Sequence, residues 1–381
     1  MAAPKFRQLR PSYGFDEVAI VPGDVTINPE QTNIELKIGG VTLAIPILAS
    51  AMDAVVDVKM AVLLSELGGL PVLHLEGVQT RYDNPADVLD EIAHTPNENV
   101  TALMQKIYSA PIRENLVGDR IRAIKKAGAV CGAAAMPANT KRLAPMVVEA
   151  GADVLVVQST ITTARHISRS YRGLIFSELC EQISIPVVVG SCASYNACLE
   201  LMETGVSGIL VGVGPGAACT SREVLGIGVP QITATLDCAA ARDHYFKESG
   251  RYVPVITDGG LKKGGDVCKA IAAGADGVML GSVLAQAKEA PGHGYHWGMS
   301  TPNPVLPRGT RIKVGTKASL KQILMGPTSV TDGTENFVGA LKTAMGFCGA
   351  ATIREMHKAE MVVAPSITTE GKSWQLAGLR A

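Results

Sequence analysis

A cysteine set among glycines is the part of this sequence best suited to covalent chemistry. In Gly212-Val213-Gly214-Pro215-Gly216-Ala217-Ala218-Cys219-Thr220-Ser221-Arg222, three glycines and a proline make a rigid loop with exposed backbone groups, and Cys219 is presented to solvent or ligand. Arg222, three residues on, would favour its thiolate, the nucleophilic form. The alternative is a tight turn with a buried small thiol. That reading suits the other seven cysteines (Cys131, Cys180, Cys192, Cys198, Cys238, Cys268 and Cys348). Several of them lie in apolar runs, and none forms the C-x-x-C pair of a zinc or redox motif. A second motif is Thr257-Asp258-Gly259-Gly260. Ionised Asp258 can accept both hydrogens of a ribose diol, and the two glycines leave amides free for a phosphate. A third, Met279-Leu280-Gly281-Ser282, can add donors to the same phosphate. Alternatively, Asp258 caps a helix and the glycines only turn the chain.

Each motif ends a short apolar run, and the runs recur. They are Ile45–Ser50, Pro71–Leu75, Val100–Gln105, Val130–Met136, Asp153–Ser159, Pro186–Ser191, Gly208–Gly212, Val253–Thr257 and Gly277–Gly281. Runs rich in Val, Ile, Leu and Ala without alternation suit strands buried on both faces. Helical patterns separate them: Asp57–Leu67, Pro85–Ala93, Asp119–Ala127, Lys141–Ala150, Tyr195–Thr204, Ile232–Lys247 and Gly265–Ala273, with a further one at Thr334–Ala344. Ala127-Gly128-Ala129, Ala150-Gly151-Ala152, Thr204-Gly205-Val206 and Ala273-Gly274-Ala275 place glycine where a helix hands over to a strand. The repeated unit predicts an α/β fold, a (β/α)₈ TIM barrel, with a doubly wound open sheet as the alternative. Nine runs compete for eight strand positions; Val100–Gln105, with its polar tail and the following Pro111, reads as an excursion. No linker separates folding units, so 1–381 reads as one catalytic domain. After the last run, about 289–316, a stretch rich in proline and glycine with His293, Tyr295, His296 and Trp297 reads as an active-site flap. Active sites of such barrels lie at the C-terminal ends of the strands, where all three motifs fall.

Composition excludes several classes of function. Lys+Arg and Asp+Glu are both 35, so the chain has no basic excess to draw nucleic acid or an anionic membrane. Hydrophobic residues at 47% and charged residues at 18% exclude disorder. There is no signal-peptide core at the N-terminus and no apolar run long enough to span a bilayer, so a cytoplasmic location with reduced thiols is expected. His74 ends an apolar run and reads as a core residue. His94, His166, His244 and His357 read as surface positions. His293 and His296, in the flap, are candidates to touch a cofactor. Thr368–Ala381 reads as a solvated tail, with Glu370-Gly371 able to reach a neighbouring subunit's cation site.

Taken together, the motifs resemble the IMP dehydrogenase / GMP reductase family. The likeness runs through Ile47-Leu48-Ala49-Ser50-Ala51-Met52-Asp53, the Cys219 loop, Asp258-Gly259-Gly260, the Gly274–Ser282 strand, Gly298-Met299 and Met345–Ala350. The resemblance implies that Cys219 attacks C2 of a purine nucleotide, with Ser221 where the family has a catalytic threonine. It implies that Ser50, Asp258, Gly260, Gly281 and Ser282 hold ribose and phosphate, and that Gly298 and Met299 meet the purine. Gln158 and Ser159 would face the NAD cofactor. The carbonyls of Gly214, Gly216 and Cys219 would hold a potassium ion, and a homotetramer is expected. Some positions depart from the family. Only about Pro85–Arg120 stands where most dehydrogenases insert paired CBS subdomains. Gln158 replaces an aspartate, and Ala217 a serine. The flap lacks the Arg-Tyr pair that activates water, and Arg308 stands where the family tends to have Glu or Gln. The resulting expectation is an IMP dehydrogenase, with Arg308 a candidate base assisted by Ser221. GMP reductase and a catalytically idle nucleotide-binding barrel are the alternatives.

Overall fold

The computed structural model describes residues 9–167, 173–299 and 311–364. Eight parallel strands form one sheet: β1 (Ile47–Ala49), β2 (Val72–His74), β3 (Gly132–Ala135), β4 (Val154–Gln158), β5 (Val187–Cys192), β6 (Gly208–Val211), β7 (Val255–Asp258) and β8 (Gly277–Leu280). β8 pairs with β1. The Ala49 amide donates to the Leu70 carbonyl (2.9 Å) and the Leu70 amide to the Ile47 carbonyl (3.0 Å), which closes the ring against the approach to β2. The fold is a (β/α)₈ barrel. Its outer helices are α1 (Val58–Glu66), α2 (Glu114–Lys126), α3 (Pro137–Glu149), α4 (Phe176–Gln182), α5 (Tyr195–Glu203), α6 (Gln231–Ser249), α7 (Gly264–Ala272) and α8 (Phe337–Phe347). Gly128, Gly151, Gly205 and Gly274 all take positive φ, as the repeated helix-to-strand glycines require.

Strands buried on both faces explain the continuous apolar runs. Side chains from every strand, including Leu48, Val72, Val188, Leu210, Ile256 and Met279, fill the barrel interior. Leu36, Ile38 and Leu43, from a hairpin of Leu36–Ile38 and Val41–Leu43, join that cluster from below β1. The interior is therefore packed, and its floor is sealed at the end away from the three motifs. The alternate residues of the strands face the helices in a second, larger core.

The structure bears on two of the sequence readings. Val100–Gln105, set apart from the eight strands as an excursion, is indeed not a strand. It lies inside a helix, Asn97–Ser109, whose buried face is Val100, Met104, Ile107 and Tyr108. That spacing is helical, and packing on the neighbouring helix Pro85–His94 supplies the burial that a short run could not signal locally. The flap is also more ordered at its base than its composition suggests: Tyr295–His296 pairs antiparallel with Ile312–Lys313.

The barrel interior offers a test of this packing. Leu210→Ala should lower unfolding free energy by about 2–5 kcal/mol, because a fully enclosed site has no room to collapse into the cavity. Urea denaturation followed by circular dichroism reads the loss.

Candidate active site

A cavity of about 400 Å³ opens at the C-terminal ends of the strands. Every strand contributes to its wall or rim, through Ser50, His74, Ala135, Gln158, Ser191, the Gly214–Ser221 loop, Asp258–Gly260 and Gly281–Ser282. Gly298 and Met299 cover one side. Of the predicted site residues, Cys219, Ser221, Ser50, Asp258, Gly260, Gly281, Ser282, Gly298, Met299, Gln158, Ser159, Gly214 and Gly216 all line this one cavity. Arg308 lies outside the described residues, as do Glu370 and Gly371.

The Cys219 loop is held from behind. Gly212 takes a φ of 149°, and a Cβ there would lie 2.3 Å from the Asp258 carbonyl oxygen. Buried Gln231, at the start of α6, donates from Nε2 to the Val211 carbonyl (2.6 Å) and the Asp258 carbonyl (3.1 Å). One amide thus ties the loop after β6 to the turn after β7. Arg222 has a different role from the one its position suggested. Its guanidinium donates to the carbonyls of Val213 (3.3 Å) and Val229 (2.7 Å), closing the loop rather than pairing with the thiol. Cys219 is half-buried, its Sγ 3.3 Å from Ser221 Oγ, and its amide donates to the Gly216 carbonyl (3.0 Å).

Across the cavity, Gln158 Nε2 donates to Asp258 Oδ2 at 2.6 Å. Burial raises the Asp258 carboxyl to about 6, against the smaller opposing effect of that hydrogen bond. Gln158, predicted to face a cofactor, is instead engaged with the carboxylate predicted to hold a ribose. Ser159 turns to its own loop, donating to the Ile161 carbonyl (2.8 Å) beside Thr162 Oγ1 (3.1 Å). Gly281 lets Ser50 approach: a Cβ at 281 would stand 3.3 Å from Ser50 Oγ. His296 is buried, with Nε2 3.0 Å from Ser282 Oγ, while Nδ1 has no partner among the described residues. Burial lowers its pKa, so the ring is neutral near pH 7. His296 therefore sits at the Ser282 end of the cavity, whereas His293 is exposed near Asp90 and does not line the cavity. His74 is buried, accepts the Glu76 amide at Nδ1 (3.0 Å) and also lines the cavity, which its apolar neighbours in sequence concealed. His357 is not a surface residue; it is half-buried and lies against the Ala275 carbonyl (2.9 Å).

The residues missed from sequence support the flap. Trp297 Nε1 donates to Tyr108 Oη (2.7 Å), which donates to Asp53 Oδ2 (2.7 Å), and the Val78 amide donates to the same oxygen (2.9 Å). On the far side of the flap, Arg311 donates to the carbonyls of Ile92 and Ala93 (2.8 Å to the latter) and to Asn97 Oδ1 (2.8 Å). It also stacks 4.2 Å from the Tyr295 ring centroid. Both anchors reach the helix pair Pro85–His94 and Asn97–Ser109. The aromatic content of the flap was the one sequence signal of this attachment.

Residues 12–301 match the family model of the IMP dehydrogenase / GMP reductase domain. The chain belongs to this family. It is 38% identical to an uncharacterized oxidoreductase of Mycobacterium leprae, over 94% of this chain and 98% of that one. It is 30% identical to an inosine-5'-monophosphate dehydrogenase of Cryptosporidium parvum, over 94% and 92% respectively. Among solved structures, an IMP dehydrogenase/GMP reductase-like protein from Corynebacterium glutamicum superposes with a TM-score of 0.88 at 33% identity, covering 95% of this chain and 96% of that one. The chain is an oxidoreductase of this family.

Two outcomes follow from this geometry. A carboxyl whose folded pKa, about 6, exceeds its unfolded value of 3.8 holds its proton more tightly when folded, so folding stability falls as pH rises from about 4 through 6. The full penalty, reached above that range, is up to about 3 kcal/mol. Asp258→Asn should remove this component, so the stability gap between variant and parent should widen in the variant's favour from pH 4 to 7. Equilibrium unfolding at several pH values reads it. Tyr108→Phe takes the acceptor from the buried Trp297 indole N–H and a donor from Asp53, and should cost about 1–3 kcal/mol in the same assay.

Proposed function

We propose that the protein is an IMP dehydrogenase that oxidises IMP to XMP through a covalent Cys219 adduct. The observation that carries the reading is the half-buried Cys219 thiol, 3.3 Å from Ser221, opening on a cavity that Asp258 and Ser282 also line. Asp258, once ionised, accepts the ribose hydroxyls, and Gln158 steadies it for that task. Amides at Gly260, Gly281 and Ser282 take the phosphate, with His296 beside Ser282 as a neutral partner on that side. Gly298 and Met299 meet the purine, and Ser50 reaches the nucleotide past Gly281.

In the first step Cys219 loses its proton, its sulfur bonds to C2 of the purine, and the C2 hydrogen departs as hydride. NAD, when bound, supplies the acceptor for that hydride. In the second step water adds at C2 and the carbon–sulfur bond breaks, releasing XMP and restoring the thiol. Dividing the oxidation this way lets one loop serve both steps. Val224 and Leu225 leave an exposed apolar surface on the wall beside Cys219, which suits a flat nicotinamide ring. Gln158 and Ser159 lie on that cavity wall as well. The carbonyls of Gly214, Gly216 and Cys219 are ligands a hard monovalent cation such as potassium accepts. The Gly216 carbonyl, which also takes the Cys219 amide, keeps a second lone pair for it. Arg308, with Ser221 assisting, is our candidate for activating the water.

GMP reductase is the second reading: the same thiolate would displace ammonia from GMP, and hydride from NADPH would then give IMP. The short segment in place of a CBS insertion favours it. That argument is weakened by the C. parvum dehydrogenase, 92% of which aligns within 392 positions and which is therefore similarly short. Arg308, where a reductase uses a carboxylate, favours the dehydrogenase.

The deciding measurement is the near-ultraviolet absorbance of reduced nicotinamide with potassium present, in one cuvette with IMP and NAD⁺ and in another with GMP and NADPH. A rise in the first alone is expected. A fall in the second alone would establish the reductase, and no change with IMP bound would establish an idle nucleotide-binding barrel. Cys219→Ala should bind IMP yet lose turnover by more than about 10⁴-fold.

A further inference from the structure

Three cysteines far apart in sequence meet in the barrel wall. Cys192 ends β5, Cys198 lies on α5, and Cys238 lies on α6. Their sulfurs are all within 4.8 Å of one another, and the Cys192 and Cys238 sulfurs are 3.9 Å apart. None is oxidised, and none is more than 2% exposed. We propose that Cys192, Cys198 and Cys238 form a three-sulfur site for a soft, thiophilic d¹⁰ cation of the cuprous class. The proposal does not depend on which nucleotide the active site takes.

Geometry favours such an ion. A metal–sulfur bond of about 2.3 Å at the centre of a trigonal set puts the sulfurs about 4.0 Å apart. The Cys192–Cys238 separation already matches this, and a small rotation of Cys198 completes the triangle. Thiolates select soft cations over hard ones. A zinc ion in a closed structural site takes four ligands. Here the near additional oxygens are backbone carbonyls: that of Ser194, 3.9 Å from the Cys238 sulfur, and that of Cys238, 3.7 Å from the Cys198 sulfur. Three sulfurs and, among the described residues, no fourth metal-ligating side chain in the cluster suit a cation content with three ligands.

A cationic side chain lies near the cluster. Arg242 favours the thiolate at Cys198 electrostatically, although Asp276 and Asp243 draw on the same guanidinium. On binding, the metal–sulfur bonds replace S–H bonds, the displaced protons leave to solvent, and the metal's oxidation state does not change. The site also touches the root of the catalytic loop, since the Gly212 amide donates to the Cys192 carbonyl (2.8 Å).

The test uses the full-length protein, reduced and anaerobic, titrated with Cu(I) buffered by a competing chelator. One tightly held Cu(I) per chain is expected, with three sulfur neighbours by X-ray absorption and a raised melting temperature, since an ion bound only by the folded chain stabilises it. Cys219→Ala, which removes the thiol in the active-site cavity, should leave this stoichiometry intact, whereas Cys198→Ala and Cys238→Ala should each abolish the three-sulfur signature. Failure to hold Cu(I) against the chelator, a two-sulfur signature, a preference for Zn(II) over Cu(I), or unchanged binding in both cluster variants would overturn the proposal. Should either cluster variant fail to fold, the sulfur coordination number in the unsubstituted protein decides alone.

Discussion

The active cavity depends on the close approach of two backbone turns at Gly212. The loop that carries Cys219 leaves β6 almost in contact with the turn that carries Asp258, and no side chain fits between them. The Gln231 amide bonds to a carbonyl on each side of that approach. A thiol and a carboxylate that would otherwise sit on independent loops are thereby held on two touching turns that line one cavity. The packed barrel interior beneath, sealed by the Leu36–Leu43 hairpin, keeps the strand ends from drifting.

A second constraint acts from outside the barrel. The flap that carries Gly298 and Met299 returns to the body through Trp297 on one side and Arg311 on the other. Both reach the helix pair Pro85–His94 and Asn97–Ser109. In this chain these helices act as the base of the flap. Their buried polar contacts are demanding, because an indole N–H or a guanidinium enclosed without an acceptor is costly.

The polar groups of the cavity are arranged around desolvation. Asp258 is pushed toward its neutral form by burial and drawn back by Gln158; His296 is kept neutral by burial. A carboxyl near 6 is largely ionised at neutral pH and ready to accept hydrogen bonds. The same enclosure that strengthens those bonds raises the cost of the charge. Gln158, an amide, adds no second charge next to Asp258, so this carboxylate escapes the repulsion that a like neighbour would impose.

Sequence alone determined the barrel, the order of its strands and the motifs at their ends. Those features are local: an apolar run of strand length, a glycine at the helix-to-strand junctions, and a cysteine loop whose glycines permit the positive-φ backbone it takes. The family was legible for the same reason, because its most specific motif is a continuous stretch from Gly212 to Arg222. Only the tertiary structure decided the rest. Val100–Gln105 stands out from the strand runs as an excursion, but that it is a helix is decided only where its face packs on Pro85–His94. Gln158 and Asp258 lie 100 residues apart, and no pattern in either stretch states that they pair. Cys192, Cys198 and Cys238 fit no metal spacing, because β5, α5 and α6 bring them together through the winding of the barrel. Arg222 looked like a partner for the thiol by proximity in sequence, but the turn of the loop aims it at carbonyls instead. Local backbone preference is encoded residue by residue, whereas contacts between distant side chains follow from how the ring closes.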